Sequence, residues 1–307
     1  MYRTIGIISL AMICWSIALE SVQAQRARER IRSSQVLGNS DRPAEGYTTA
    51  IFVDEKVHEL KDGLDLSRKD LSYIRIDREN TKLKNINFSS SSFYQSDFLN
   101  TDFVDCDFSG ATFANACLGT VRGCNFQNAV IKNTAVSLNA EQLLSTSNYK
   151  RKGFIGFQTY GQDYSGISFA GFNLTYCYFS GCNLTDCDFT DATIEGAHLS
   201  DLSLRVEQLL VTSDFKNRFV KEITFGGVWP EHVVDLSKTV FIDCAFTGSG
   251  AKIDLTDSVI SGCSFFTFGG LTIENVKSTW NYKNNQMENV RLPKSIQEAL
   301  NAEKEQQ

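Results

Sequence analysis

Thr101-Asp102-Phe103-Val104-Asp105-Cys106-Asp107-Phe108-Ser109-Gly110 decides the fold. Each ring follows the last by five residues, with an aspartate before it and a small residue before the aspartate. The beat extends outward as Leu83, Phe88, Phe93, Phe98, Phe103, Phe108, Phe113 and Leu118. A second run repeats it as Phe169, Leu174, Phe179, Leu184, Phe189, Ile194, Leu199 and Leu204. Neither the helical period of about 3.6 nor the strand period of 2 holds residues at this spacing on one flat face. A chain that turns a corner after each apolar residue does. Ser91, Ser96, Thr101, Cys106, Ala111 and Ala116 precede the beats by two positions, as do Cys177, Cys182, Cys187, Ala192 and Ala197. Each five-residue unit therefore sends one large and one small side chain inward.

Thr101-Asp102-Phe103-Val104-Asp105, Cys106-Asp107-Phe108-Ser109-Gly110 and Cys182-Asn183-Leu184-Thr185-Asp186 resemble the units of pentapeptide-repeat proteins. That pattern is a small residue, Asp or Asn, Leu or Phe, then two polar positions, and it covers about residues 64–292 in broken runs. The resemblance implies an all-β solenoid, a right-handed quadrilateral β-helix with four units to a coil. It also implies a structural ladder of Phe88, Phe93, Phe98, Phe103, Phe108, Phe113, Leu174, Phe179, Leu184 and Phe189. At the family's twenty residues per coil, Phe88 stacks on Phe108, Phe93 on Phe113, Leu174 on Ile194 and Phe179 on Leu199. About ten coils are expected, in a rod on the order of 45–50 Å long.

A longer repeat lies over the pentads. Leu138–Lys150 aligns without gaps with 204–216, where Leu204, Glu207, Gln208, Leu209, Leu210, Thr212, Ser213 and Lys216 are identical. A third copy at 271–283 keeps Leu271, Glu274, Thr279, Asn281, Tyr282 and Lys283. Within these copies the pentad lapses. Asn139 and Gln142 have the spacing of a capping box ahead of Leu143 and Leu144. The first two copies are predicted to be short helical excursions from the coil. The third, with Val276 and Lys277 in place of the leucines, has the weakest helical pattern of the three and is read as an excursion too. Tyr149, Phe215 and Tyr282 anchor the chain's return in this reading, rather than forming an aromatic–lysine ligand site. Leu292-Pro293 with Ile296, Ala299 and Leu300 predicts a capping helix and tail over 293–307, and apolar residues at 48–60 are expected to close the other end.

Residues 1–24 read as a secretory signal: Arg3, an apolar stretch from Ile5 to Leu19, and Val22-Gln23-Ala24 as a cleavage site. An uncleaved membrane anchor competes, although Glu20 ends the stretch short of the ~20 residues that span a bilayer. Residues 25–50, with Arg26, Arg28, Arg30, Arg32 and Arg42, read as a basic linker. The coil is then assigned to 51–292. An exported location follows from the signal, whether periplasm, cell surface or medium.

The 307 residues carry 22 Phe, only 3 Pro and a net charge of −6, which suits an ordered backbone and argues against a protein that neutralises nucleic-acid phosphates. Eight cysteines remain without Cys14; all but Cys117 fall in the small inward slot, and no C-x-x-C spacing occurs, so reduced, buried thiols are predicted over disulfides or zinc. Histidine occurs only at 58, 198 and 232. His198 should face outward, and His232 reads as a loop residue. Asp97, Asp102 and Asp107 could suggest glycoside chemistry, but they occupy the pentad's second position, where a carboxylate bonds the turning backbone. No catalytic, cofactor-binding or metal residue is assigned. The leading expectation is an exported, non-catalytic scaffold or interaction protein with a protein or surface partner. Through the resemblance, a DNA-mimicking topoisomerase-binding protein is the alternative, and a carbohydrate-active β-helix enzyme a second. The sequence names no partner and no oligomeric state, and it predicts membrane contact only if the signal stays uncleaved.

Overall fold

The computed structural model describes residues 50–53, 56–76, 81–199, 204–226, 229–248 and 252–305. The expected signal and nearly all of the basic linker lie outside the described residues. Where it is described, the chain winds as a right-handed quadrilateral β-helix, its coils joined by parallel pairing such as Ser92–Tyr94 with Thr112–Ala114.

The pentad works as a corner. Its second residue accepts a hydrogen bond from the backbone N–H two positions on: Ser109 N donates to Asp107 Oδ1 at 2.9 Å, Thr185 N to Asn183 Oδ1 at 3.1 Å. Its last residue takes a left-handed conformation, as at Ser90 (φ 59°), Asp105 (52°) and Asp186 (56°). Asn and Asp tolerate that region better than other non-glycine residues. Glycine is required at Gly196, where a methyl group would lie 2.2 Å from the ring of Tyr176 on the coil below.

Inside, the rings form columns. Phe88 stacks on Phe108 with centroids 5.0 Å apart, Phe93 on Phe113 at 4.8 Å, and Phe169 on Phe189 at 5.5 Å. The pairing of Asn173 with Thr193 and of Tyr178 with His198 sets Leu174 over Ile194 and Phe179 over Leu199, all four buried.

One side of the solenoid is never interrupted. Its ladder joins Arg75, Asp97, Cys117, Ala135, Gln158, Tyr178, His198, Thr224, Ala245, Ser264 and Arg291 in eleven successive levels. Ten steps of ~4.8 Å give a rod of about 48 Å. The period departs from a uniform twenty. It shortens to 18 residues between Cys117 and Ala135 and lengthens to 23, 26 and 27 at Ala135–Gln158, His198–Thr224 and Ser264–Arg291. The shortening falls at Gly119, where a methyl group would lie 2.1 Å from the Thr101 carbonyl oxygen, so the chain passes too close for any side chain. The beat then resumes at Val121, Phe126, Ile131 and Val136, all buried.

The three long steps contain the helical excursions, each a pair of short helices. They are α1 Ala140–Ser145 and α2 Ser147–Lys150, α3 Val206–Leu210 and α4 Ser213–Lys216, and α5 Ile273–Ser278 and α6 Trp280–Lys283. The third copy is therefore helical as well. The first helix of each pair overlies the side built below by Phe126, Phe189 and Leu255, opposite the unbroken ladder, and the second overlies the start of the next side, at Ile131, Ile194 and Ile260. α7, Lys294–Glu305, follows Pro293, and Leu300 is buried. At the other end Ala50–Val53 and Lys56–Glu59 form an antiparallel hairpin, so the parallel ladder starts only at Asp65. Among the described residues no helix is long and apolar enough to cross a membrane.

Candidate functional site

The ten ladder residues singled out by sequence, Phe88, Phe93, Phe98, Phe103, Phe108, Phe113, Leu174, Phe179, Leu184 and Phe189, are all buried. They shape the rod and offer no chemistry to a ligand. Any site must be built from what points outward.

On the helical side the polar groups described next serve the chain itself, while Leu144, Val211 and Trp280 stand exposed among them. Gln142 closes a capping box with Asn139 and also donates from Nε2 to the carbonyls of Val121 (2.8 Å) and Cys124 (2.9 Å) on the coil below. Gln208 repeats this with Leu184 (3.0 Å) and Cys187 (2.9 Å), and Asn275 with Ile253 (2.7 Å). Arg205 has no acceptor to offer as a cap, so only the half of that box from Arg205 N to Gln208 Oε1 exists, at 2.9 Å. One turn later, Asn148, Asp214 and Asn281 accept the backbone N–H of Ile131, Ile194 and Ile260 at 2.6, 2.8 and 2.7 Å, as a strand would. Burial raises the Asp214 pKa above the usual carboxylate range.

The aromatic–lysine pairs are structural. Tyr149 packs on Phe172 with centroids 5.0 Å apart, and Phe215 lies against Phe225 and Phe241. Lys150, Lys216 and Lys283 reach Asn128, Asp191 and Asp257 at 2.5, 2.6 and 2.7 Å. Those three partners are the left-handed corner residues one coil below.

The acids are likewise engaged. Asp97 and Asp107 accept Leu99 N and Ser109 N, while Asp102 departs from the turn pattern and is bound by Thr120 and Arg122. The three lie on successive sides of the coil. Hydrogen bonds from Ser67, Ser165, Thr190 and Ser237 hold Asp65, Asp163, Asp188 and Asp235 below the usual carboxylate range, Asp235 at about 2. A depressed pKa contributes stability that is complete above the unfolded value near ~4. That contribution is lost as pH falls through the folded value. Thermal melts are therefore expected to drop between about pH 4 and 2, and Asp235→Asn, which keeps the acceptor, to lessen the slope.

The unbroken side differs. From Cys117 to Ser264 its ladder residues are all uncharged. Beside them Tyr160 and Phe266 are exposed by 47% and 67%, and Leu99, beside Asp97 one level below, by 63%. Tyr160 lies 5.8 Å from Tyr178, which stacks on His198 at 4.3 Å. The stack half-buries His198, and that burial lowers its pKa. A groove of about 490 Å³ opens beside Leu99, Val121, Arg122, Val136 and Tyr160, where the chain leaves the coil for α1. The opposite side carries acids in its ladders, Asp65, Asp107, Asp188, Asp235 and Asp254. The outward residues of the unbroken side follow no consensus. Only the register assembles them, and sequence reasoning missed the surface.

His232 is exposed, and among the described residues no three His, Cys, Asp or Glu side chains gather as metal ligands would. None of the eight described cysteines is in a disulfide; seven are buried and Cys117 is half-buried. Burial raises the Cys177 and Cys187 pKa to about 12.

The family model for pentapeptide repeats matches in eight copies, over residues 79–110, 86–128 and 165–201. No curated protein matches the chain. Among solved structures it is similar to HetL, a pentapeptide-repeat protein involved in heterocyst differentiation regulation from the cyanobacterium Nostoc sp. strain PCC 7120. The identity is 14% over 68% of this chain and 92% of that one, with a TM-score of 0.24. QnrB1, a plasmid-mediated fluoroquinolone resistance protein, matches at 20% identity over 80% and 98%, with a TM-score of 0.21. Rfr23 from the cyanobacterium Cyanothece 51142 matches at 19% over 41% and 87%, with a TM-score of 0.15. With its corner turns and stacked rings accounted for, this chain carries pentapeptide repeats over the residues that the family model matches.

Proposed function

We propose that the protein is an exported, non-catalytic scaffold that docks a protein partner along the unbroken side of its β-helix. The observation that carries this reading is the contrast between two opposite sides. One is uncharged over eight consecutive ladder levels, Cys117 to Ser264, and displays Tyr160, Tyr178 and Phe266, with Leu99 one level below them. The other is acidic in its ladders and hydrogen-bonded to its own helices. Surfaces depleted in charge and enriched in aromatic residues are those at which proteins associate. The carboxylates that a glycosidase would need are engaged by turn N–H groups or by Arg122. Export is supported by the apolar stretch and small-residue site of residues 1–24.

The test is site-specific photo-crosslinking in the cell of origin. A benzophenone amino acid is placed singly at Tyr160 and Phe266, and at Lys150 and Lys216 on the helical side. Discrete adducts with one protein from the first two positions alone are expected. Equal adducts from both sides, or none, would overturn the docking surface. Fractionation with sequencing of the mature N-terminus tests export separately, and a cytoplasmic protein that starts at Met1 would refute it.

A further inference from the structure

Two pairs of cysteines lie in register on adjacent coils. Asn125 N–H donates to the Cys106 carbonyl at 2.9 Å, and Asn125 bridges Asp107, which places Cys124 in the inward slot directly above Cys106. Ser264 N–H donates to the Cys244 carbonyl at 2.8 Å, and Ser264 pairs with Ala245, which places Cys263 above Cys244 in the same manner. Strands ~4.8 Å apart set such α carbons inside the ~4.4–6.8 Å range that a disulfide spans. The other inward cysteines lack a cysteine in register. Cys177 lies under Ala197, Cys182 over Gln162 and Cys187 over Ile167.

We propose that Cys106–Cys124 and Cys244–Cys263 are two dithiol sites that peroxide converts to disulfides, each stitching one coil to the next. Within each pair the two thiols sit one above the other in the inward slot, and their interaction lowers the pKa of Cys106 and Cys244 and raises that of Cys124 and Cys263. The first member is thus the attacking thiolate and the second the resolving thiol. Cys106 thiolate attacks one peroxide oxygen; the O–O bond breaks, hydroxide leaves and takes up the thiol's proton as water, and a sulfenic acid remains. The Cys124 sulfur then attacks the Cys106 sulfur, the S–O bond breaks, and a second water departs with the Cys124 proton. Two thiols and one hydrogen peroxide become one disulfide and two waters. Burial confines the reaction to moments when a coil opens locally, so these are slow, in-register links rather than exposed catalytic thiols.

The test treats the folded, full-length protein with hydrogen peroxide, blocks remaining thiols, and maps peptides without reduction. Linked peptides 106–124 and 244–263 are expected, each lighter by two hydrogens and released by dithiothreitol, with Cys177, Cys182 and Cys187 recovered as thiols. Cys124→Ala, which installs the residue that fills this slot at Ala111 and Ala116, should abolish the first link and leave a Cys106 sulfenic acid that dimedone traps. The second link should be unaffected. Links that join Cys177, Cys182 or Cys187 as often, or no link from a protein that stays folded, would overturn the proposal. So would unchanged mapping in Cys124→Ala.

Discussion

Phe108→Ala is expected to destabilise the protein by ~3–5 kcal/mol. Phe108 is fully buried and lies between Phe88 at 5.0 Å and Phe126 at 5.1 Å, with Phe93, Phe103 and Phe113 edge-on at 5.8, 5.2 and 5.6 Å. Removing the ring takes a partner from each of the five and leaves a cavity that parallel strands, fixed at their spacing by backbone hydrogen bonds, close poorly. Because each coil is supported only by its neighbours, the loss should appear first as faster hydrogen exchange in residues 86–128, with 220–265 less affected. A melting curve and exchange pattern unchanged from the parent would show that the column does not carry the coil.

The second large effect concerns a polar residue. Gln142→Leu keeps the volume but strips the amide that serves the Val121 and Cys124 carbonyls and the acceptor that receives Asn139 N at 3.0 Å. Each buried acceptor left without a donor costs ~1–3 kcal/mol, so a total of ~2–5 kcal/mol is expected from denaturant titration. Glu141→Leu, one residue away and exposed, should cost under about 0.5 kcal/mol. Equal effects of the two would mean that the amide is dispensable and that α1 is held by its apolar contacts alone.

These two residues mark what could be read from the chain. Phe108 belongs to a run of eight beats, and a strict period of five with a small residue two places before each ring leaves few other architectures. The beat was lost where its chemistry changed. Thr159 and Tyr164 occupy beat positions between Phe154 and Phe169, but both are polar. Tyr164 is tolerated inside because its hydroxyl donates to the Leu138 carbonyl at 2.6 Å. Val121 was lost because the coil shortens at Gly119, which no local pattern announces. The helical excursions were legible through their 66- and 67-residue offsets and through the Asn139–Gln142 spacing. The third has the weakest signal of the three, since Val276 and Lys277 replace its leucines and its cap is built from Thr272 and Asn275. The second duty of Gln142, Gln208 and Asn275 was not legible, because their carbonyl partners lie 18 to 24 residues away. The uncharged side was invisible for the same reason: Gln158, Tyr178 and His198 become neighbours only through stacking.

Backbone pairing, and not residue count, sets the positions along that side. Steps of 18, 20, 23, 26 and 27 residues all advance it by one level. The unbroken side is thus a ruler whose graduations are indifferent to how much chain is consumed between them. Insertions that lengthen an excursion accumulate on the far side and leave the graduations in place. The protein can vary its helical side in length and composition while a partner laid along the ruler still meets the same marks in the same order.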